Sequence, residues 1–305
     1  MLWRFPARSA DRVLLVSGNI EAHESVVAFK AVQSRVVELP FDEGQWVEAG
    51  TLLAKLDVSD YQQQVVIAEA VLRTRHAELA AAKQGLEAAR NTVLADVAEQ
   101  ALQTLNRRRI GALWEQAIVS RDELDRVETA LKQSDAIVQR DRALAATRSH
   151  DIEVARAGVR TAREQLRLAR ILLGYTVLRA PFAGVILVRQ AELGEVMLPG
   201  TPVVTLADLD HVWLRAYVQE TDLGRIRWGQ TATIHTDTYP ERRYAGRISF
   251  ISSQAEFTPK SVETHVERVT LVYRIRIDVE NPAHELKPGM PADATIELGS
   301  PEPNG

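Results

Sequence analysis

The chain has 305 residues, 46% apolar and 26% charged, with a net charge of −4 and no cysteine. That length accommodates about two domains, the composition excludes a wholly disordered or fibrous chain, and no basic excess is available to capture nucleic acid. Disulfides, thiol catalysis and cysteine-ligated metal are excluded. No apolar run nears the roughly 18 residues of a membrane span, and no signal peptide is visible.

Residues 1–10 lack periodicity and are expected to form a disordered lead-in. The β-branched runs Val13-Leu14-Leu15-Val16 and Val26-Val27-Ala28-Phe29 predict strands, with 11–26 an N-terminal strand region that joins a later barrel. Residues 27–57 read as short strands punctuated by Pro40, Gly44 and Gly50.

From 58 to 174 there is no proline, and the residues are mostly strong helix formers. Val58, Val65, Leu72, Leu79, Leu86 and Val93 recur at seven-residue intervals, as do Leu124, Leu131, Val138, Ala145, Ile152, Val159, Leu166 and Leu173. A sustained heptad of this kind predicts a coiled coil. Gly44 and Gly50 are repeated as Gly194 and Gly200, 150 residues later and on the other side of this segment. Two similar β-halves, 27–57 and 175–208, form one domain only if the helical insert doubles back, so it must be a hairpin.

The midpoint falls at residue 116, giving a tip at about 114–120. Ser120-Arg121-Asp122-Glu123 then reads as a capping box that opens the second helix. Asp122–Arg126 and Glu128–Lys132 are acid-first i,i+4 pairs. Each arm has about 55 residues, or ~80 Å. The first-arm phase is expected to slip after Val93, where Gln100 takes the next heptad position, and Arg148-Ser149-His150-Asp151 predicts a local break or kink. Residues 209–298 carry five or six alternating strands and a short helix at 220–226, which suits a β-barrel; 299–305 is a polar tail. The fold class is therefore α+β and elongated, with a coiled-coil hairpin inserted in a split β-domain and a barrel after it.

These landmarks resemble the membrane fusion proteins, the periplasmic adaptor family typified by the haemolysin-secretion adaptor HlyD. Phe41-Asp42-Glu43-Gly44 through Gly50-Thr51-Leu52-Leu53 looks like the first lipoyl half-motif, and Arg179-Ala180-Pro181-Phe182-Ala183-Gly184-Val185-Ile186 like the opening of the second. Val212-Trp213-Leu214-Arg215-Ala216-Tyr217-Val218 and Leu286-Lys287-Pro288-Gly289-Met290 are similar to the family's first and last barrel strands. The stretch from Ala255 to Thr264 looks most like the YbhG-type adaptors of ABC exporters. The resemblance implies a non-enzymatic periplasmic adaptor, associated with the inner membrane of a Gram-negative bacterium. Such a protein joins an inner-membrane exporter to an outer-membrane channel and assembles as a ring of about six copies. It implies no cofactor. The family's anchor or signal segment and its membrane-proximal domain are not expected in this sequence.

Family members that dock onto an outer-membrane channel carry Arg, Leu and Ser at a spacing matched by Arg109, Leu113 and Ser120. A plainer reading makes Ser120 an N-cap, Leu113 a seam residue, and Arg109 part of the solvated run Arg107-Arg108-Arg109.

Enzyme chemistry has little support: phosphate loops, nucleophile elbows and the common zinc spacings are missing. Ser149-His150-Asp151 has the residue types of a triad, but neighbours on a helix point apart. A biotin or lipoate carrier would need a lysine on the turn joining its halves. Here the hairpin replaces that turn, and the nearest lysine, Lys55, sits in a predicted strand. A structural coiled-coil scaffold would explain the heptads but not the repeated glycines or the barrel.

Overall fold

A computed structural model describes residues 13–257 and 271–298. The lead-in, the tail and most of the Ala255 to Thr264 stretch lie outside the described residues. The chain divides into two compact units: Val58–Tyr175, and the remainder.

The unit containing Val58–Tyr175 is two antiparallel helices, α1 (Ser59–Glu115) and α2 (Arg121–Gly174). At 1.5 Å per residue they are ~85 and ~80 Å long. The α2 heptad line is the seam: Leu124, Val138, Ile152, Val159 and Leu166 are buried, and Leu131, Ala145 and Leu173 are half-buried. A second line three residues on carries Ser134, Asp141, Ala162 and Ala169, all buried. The small residues among them let the helices approach closely.

Of the two expected irregularities, the break at 148–151 is not found and the first-arm slip comes after Gln100. Gln100 remains in the seam, where its Nε2 donates to Asp135 Oδ1 across the hairpin at 2.7 Å; the next positions on that line, Arg107 and Trp114, are exposed, so the line leaves the seam one heptad later than expected. The helix continues through residues 148–151. There Arg148 and Asp151 form an exposed i,i+3 pair at 3.2 Å, satisfying the polar groups without disturbing the backbone ladder. Glu128, expected to pair with Lys132, instead reaches Arg107 on the other helix at 3.1 Å.

The other unit begins with β1 (Val13–Ala28), β2 (Ser34–Glu38), β3 (Trp46–Val47) and β4 (Leu52–Leu56). After the hairpin come β5 (Val177–Arg179), β6 (Gly184–Arg189), β7 (Val196–Met197) and β8 (Pro202–Gln219). A short helix α3 (Glu220–Leu223) precedes β9 (Thr231–His235), β10 (Tyr244–Phe257), β11 (Leu271–Glu280) and β12 (Pro291–Glu297).

The order β1-β12-β9-β10-β11-β8, closed by pairing of β8 with β1, makes a six-stranded barrel. Its interior is filled by Ile20, Leu214, Ile234, Ile248, Ile275, Ile277 and Ile296. The boundaries expected at 26/27 and 208/209 fall inside the long strands β1 and β8. These run from the barrel into the lipoyl-like part, with register shifts between Ala22 and His23 and between Val27 and Ala28.

In the lipoyl-like part the 150-residue repeat is a set of exchanged hydrogen bonds. Gly44 N–H donates to Ile186 and Gly194 N–H to Val36; Gly50 donates to Ala180 and Gly200 to Phe29, all at 2.8–2.9 Å. Each of the four glycines has φ between 81° and 89°, which only glycine adopts without strain. Each half therefore completes the other's turns. Lys55 is in β4, paired with Val177.

Candidate docking site at the hairpin tip

Helix α1 ends in a Schellman motif. Ala117 N–H donates to Trp114 O at 2.8 Å and Ile118 N–H to Leu113 O at 2.9 Å, the paired 5→2 and 6→1 bonds of that cap. The left-handed position, normally glycine, is Ala117, with φ 58°. The turn places Ile118 outward, 63% exposed, beside Trp114, 38% exposed.

Of the three residues singled out by spacing, Arg109 and Leu113 lie one turn apart on α1, so they share a face. Arg109 is exposed and its guanidinium donates to Asn106 Oδ1 at 3.1 Å. Leu113 is half-buried, its carbonyl taken by Ile118. Ser120 is exposed and lies across the link as the N-cap of α2. Its Oγ accepts from Glu123 N–H at 3.3 Å, leaving the hydroxyl proton free to donate outward.

The expected return bond from Glu123 is replaced by an ion pair: its carboxylate turns to Arg126, 3.8 Å away, where Asp122 also pairs at 2.8 Å. The guanidinium draws Glu123 off the cap, and Arg121 pairs with Asp125 at 3.0 Å. Sequence spacing missed Ile118 and Trp114, which form the most exposed apolar surface of the tip. The signal for Ile118 was its place in the link, three residues past the end of α1, where a side chain has no seam to enter.

Further down the hairpin, Asp141 is 4% exposed and gripped by Arg140 through two bonds of 2.8 and 2.9 Å. The Arg140 guanidinium, then a hydrogen bond with Asp96 of α1, hold the Asp141 carboxyl down at about 2. Asp96 is pushed up from the ordinary range by its bond to Asp141 and by burial.

Residues 211–300 match the family model described as the CusB-like, beta-barrel domain. A UPF0194 membrane protein of Yersinia pseudotuberculosis serotype O:3 (strain YPIII) is 34% identical over 304 residues, covering 95% of this chain and 91% of that protein. Another, from Acidithiobacillus ferridurans, is 35% identical over 304 residues, covering 96% and 89%. Among solved structures, MacA from Actinobacillus actinomycetemcomitans matches with a TM-score of 0.62 at 22% identity, covering 94% of this chain and 79% of MacA. The membrane fusion protein Spr0693 from Streptococcus pneumoniae R6 matches with a TM-score of 0.61 at 16% identity, covering 94% and 100%. The chain belongs to the UPF0194 membrane proteins and is built on the membrane fusion protein fold.

Proposed function

We propose that this protein is a non-enzymatic periplasmic adaptor, linking an inner-membrane exporter of the ABC type to an outer-membrane channel. Several copies, about six, would enclose the conduit, with the lipoyl-like and barrel parts forming a ring and the hairpins a tube. The hairpin tip would meet the channel through Arg109, Leu113 and Ser120, together with Trp114 and Ile118.

The observation that carries this reading is the tip's chemistry. An apolar knob made of most of Ile118 and over a third of Trp114 stands exposed between an arginine and a hydroxyl, on a turn fixed by two caps. A solvated helix link has no need of that surface, whereas a tip-to-tip contact between helical hairpins does. A scaffold made only of coiled coil is disfavoured by the glycine exchange, which commits the hairpin's ends to one folded domain. A carrier is disfavoured by Lys55, which lies within β4 and not on a turn.

The test is an export assay in a strain dependent on this chain. Arg109→Asp, Leu113→Asp and Ile118→Asp should each abolish export while circular dichroism and thermal stability stay near wild type. Export surviving all three substitutions would remove the tip from the mechanism.

A further inference from the structure

The barrel has two different ends. Past Ala22, β1 and β8 continue into the lipoyl-like part, so the opposite end is marked by the start of β1, the close of β12 and the start of β9. Val13 pairs with Glu297 and Ile296 with Ala232, and the Gln230 amide donates to Glu297 O. At this far end Trp228 is 76% exposed, the most exposed large apolar side chain among the described residues. Its ring is held by a bond from Nε1 to Ser249 O at 2.9 Å. Val13 and Leu15 are also exposed on the outer wall there, at 51% and 66%.

Two arginines flank Trp228. Arg227 precedes it, its backbone N–H tied to Gln230 Oε1 at 2.9 Å. Arg247 leans across from β10, its guanidinium on Gly229 O at 3.2 Å. Neither guanidinium has a carboxylate partner among the described residues. Arg225 is paired with Asp222 at 2.9 Å, and Glu220 of α3 and Glu297 are carboxylates at this end of the barrel.

A fixed tryptophan projecting into solvent between two uncommitted arginines is the chemistry that suits a bilayer surface. The indole has an apolar body and a polar edge, which places it at headgroup depth. The guanidiniums are drawn to phosphates and anionic lipids. We infer that the far end of the barrel docks on an anionic phospholipid surface, with Trp228 entering the interface and Arg227 and Arg247 engaging headgroup phosphates. Binding of this kind combines buried apolar area with electrostatic attraction and weakens with salt. It would fix the barrel's far end toward the membrane and the lipoyl-like part away from it. A transporter subunit is the other occupant such a surface could take, and the experiment separates the two.

The experiment is vesicle flotation of the purified full chain, without exporter or channel, so its outcome is independent of the tip variants. Vesicles of phosphatidylethanolamine with phosphatidylglycerol are compared with pure phosphatidylcholine, at low and physiological salt. The wild type should float with the anionic vesicles and little with phosphatidylcholine. Trp228→Ala should bind about tenfold more weakly, the loss expected for one large apolar side chain. Arg227→Gln with Arg247→Gln should lose about fivefold per charge, and on anionic vesicles alone. Arg227→Gln by itself alters no bond of the fold and keeps the test meaningful should the others unfold. Quenching of tryptophan fluorescence by brominated lipid should fall when Trp228 is replaced by Phe. A wild type that fails to float with anionic vesicles, as expected of a surface made for a protein partner, overturns the inference. So does undiminished binding by the Trp228 variant or by the arginine variants.

Discussion

Gly18 is where β1 passes from β12 to β8, pairing with Ala292 on one side and Ala216 on the other. A methyl group at this position would lie 1.9 Å from Arg215 O and 2.9 Å from Ala216 Cα. Both obstacles are backbone, so no rotamer can yield. Ordinary contact begins near 3.4 Å, and Gly18→Ala must therefore drive the strands apart by about 1.5 Å. A shift of that size breaks the nearest ladder bonds at the barrel's closure. Overpacking costs about 1–3 kcal/mol and two lost hydrogen bonds about 1 kcal/mol each, giving about 3–5 kcal/mol. For a folded unit of this size the melting temperature should drop by roughly 10 °C.

The assay is thermal unfolding followed by tryptophan fluorescence, since four of the five tryptophans lie outside Val58–Tyr175. Far-UV circular dichroism reports the helices in parallel. Gly44→Ala is the comparison: nothing lies within 4 Å of the added methyl, but φ is +82°, so its cost is about 1 kcal/mol of backbone strain. If Gly18→Ala melted like wild type, or lost less than Gly44→Ala, the strand-crossing argument would fail.

Val159→Asp should destabilise the hairpin by about 3–5 kcal/mol, since a buried seam position would hold an unpaired charge; the helical circular dichroism signal is the readout. Ala117→Gly should raise hairpin stability by about 1 kcal/mol by relieving the left-handed alanine, seen as a higher melting temperature with export unchanged. Asp96→Asn should stabilise the hairpin at neutral pH by removing a second negative charge beside Asp141. Because the Asp96 pKa is raised in the fold, its favourable contribution is present below the unfolded value of 3.8 and is lost as pH rises through the folded value. The gain from Asp96→Asn should therefore shrink as the melts are repeated toward pH 4. A separate loss belongs to Asp141, whose contribution is present above 3.8 and disappears as pH falls through about 2.

Glycines show where the sequence was legible. Gly44, Gly50, Gly194 and Gly200 need a positive φ, a local demand that leaves a local pattern, and their repeat revealed the split domain. Gly18, Gly184 and Gly246 are required because another part of the chain approaches them closely, Ala207 O standing 2.2 Å from a methyl on Gly184. Nothing near them in sequence announces that. The same division explains β1 and β8: each was read as short runs because register shifts interrupt the alternation, while the pairing that makes them continuous comes from strands far along the chain. In the seam, heptad counting found the apolar line but could not foresee Gln100 with Asp135 or Asp96 with Asp141. Those pairs depend on the stagger of one helix against the other. The tip was located by the Ser120 cap, whereas the outward turn of Ile118 follows from a backbone cap formed at an alanine, where glycine was the expected signal.

The split lipoyl-like domain also sets an order of events. Leu56 N–H bonds Thr176 O at 2.9 Å, although about 120 residues of chain separate them. Closing an unstructured loop of that length costs about 4 kcal/mol in chain entropy, whereas helices that have already zipped together bring the two ends side by side. Hairpin formation, built from contacts that grow outward from the tip, should therefore precede closure of the β-halves. During synthesis, at about 5–20 residues per second, the first half waits on the order of ten seconds for its mate. Through that interval its glycine turns lack the carbonyls that complete them and its strand edges lack partners. Residues 27–57 are thus the stretch of the nascent chain most in need of protection from mispairing.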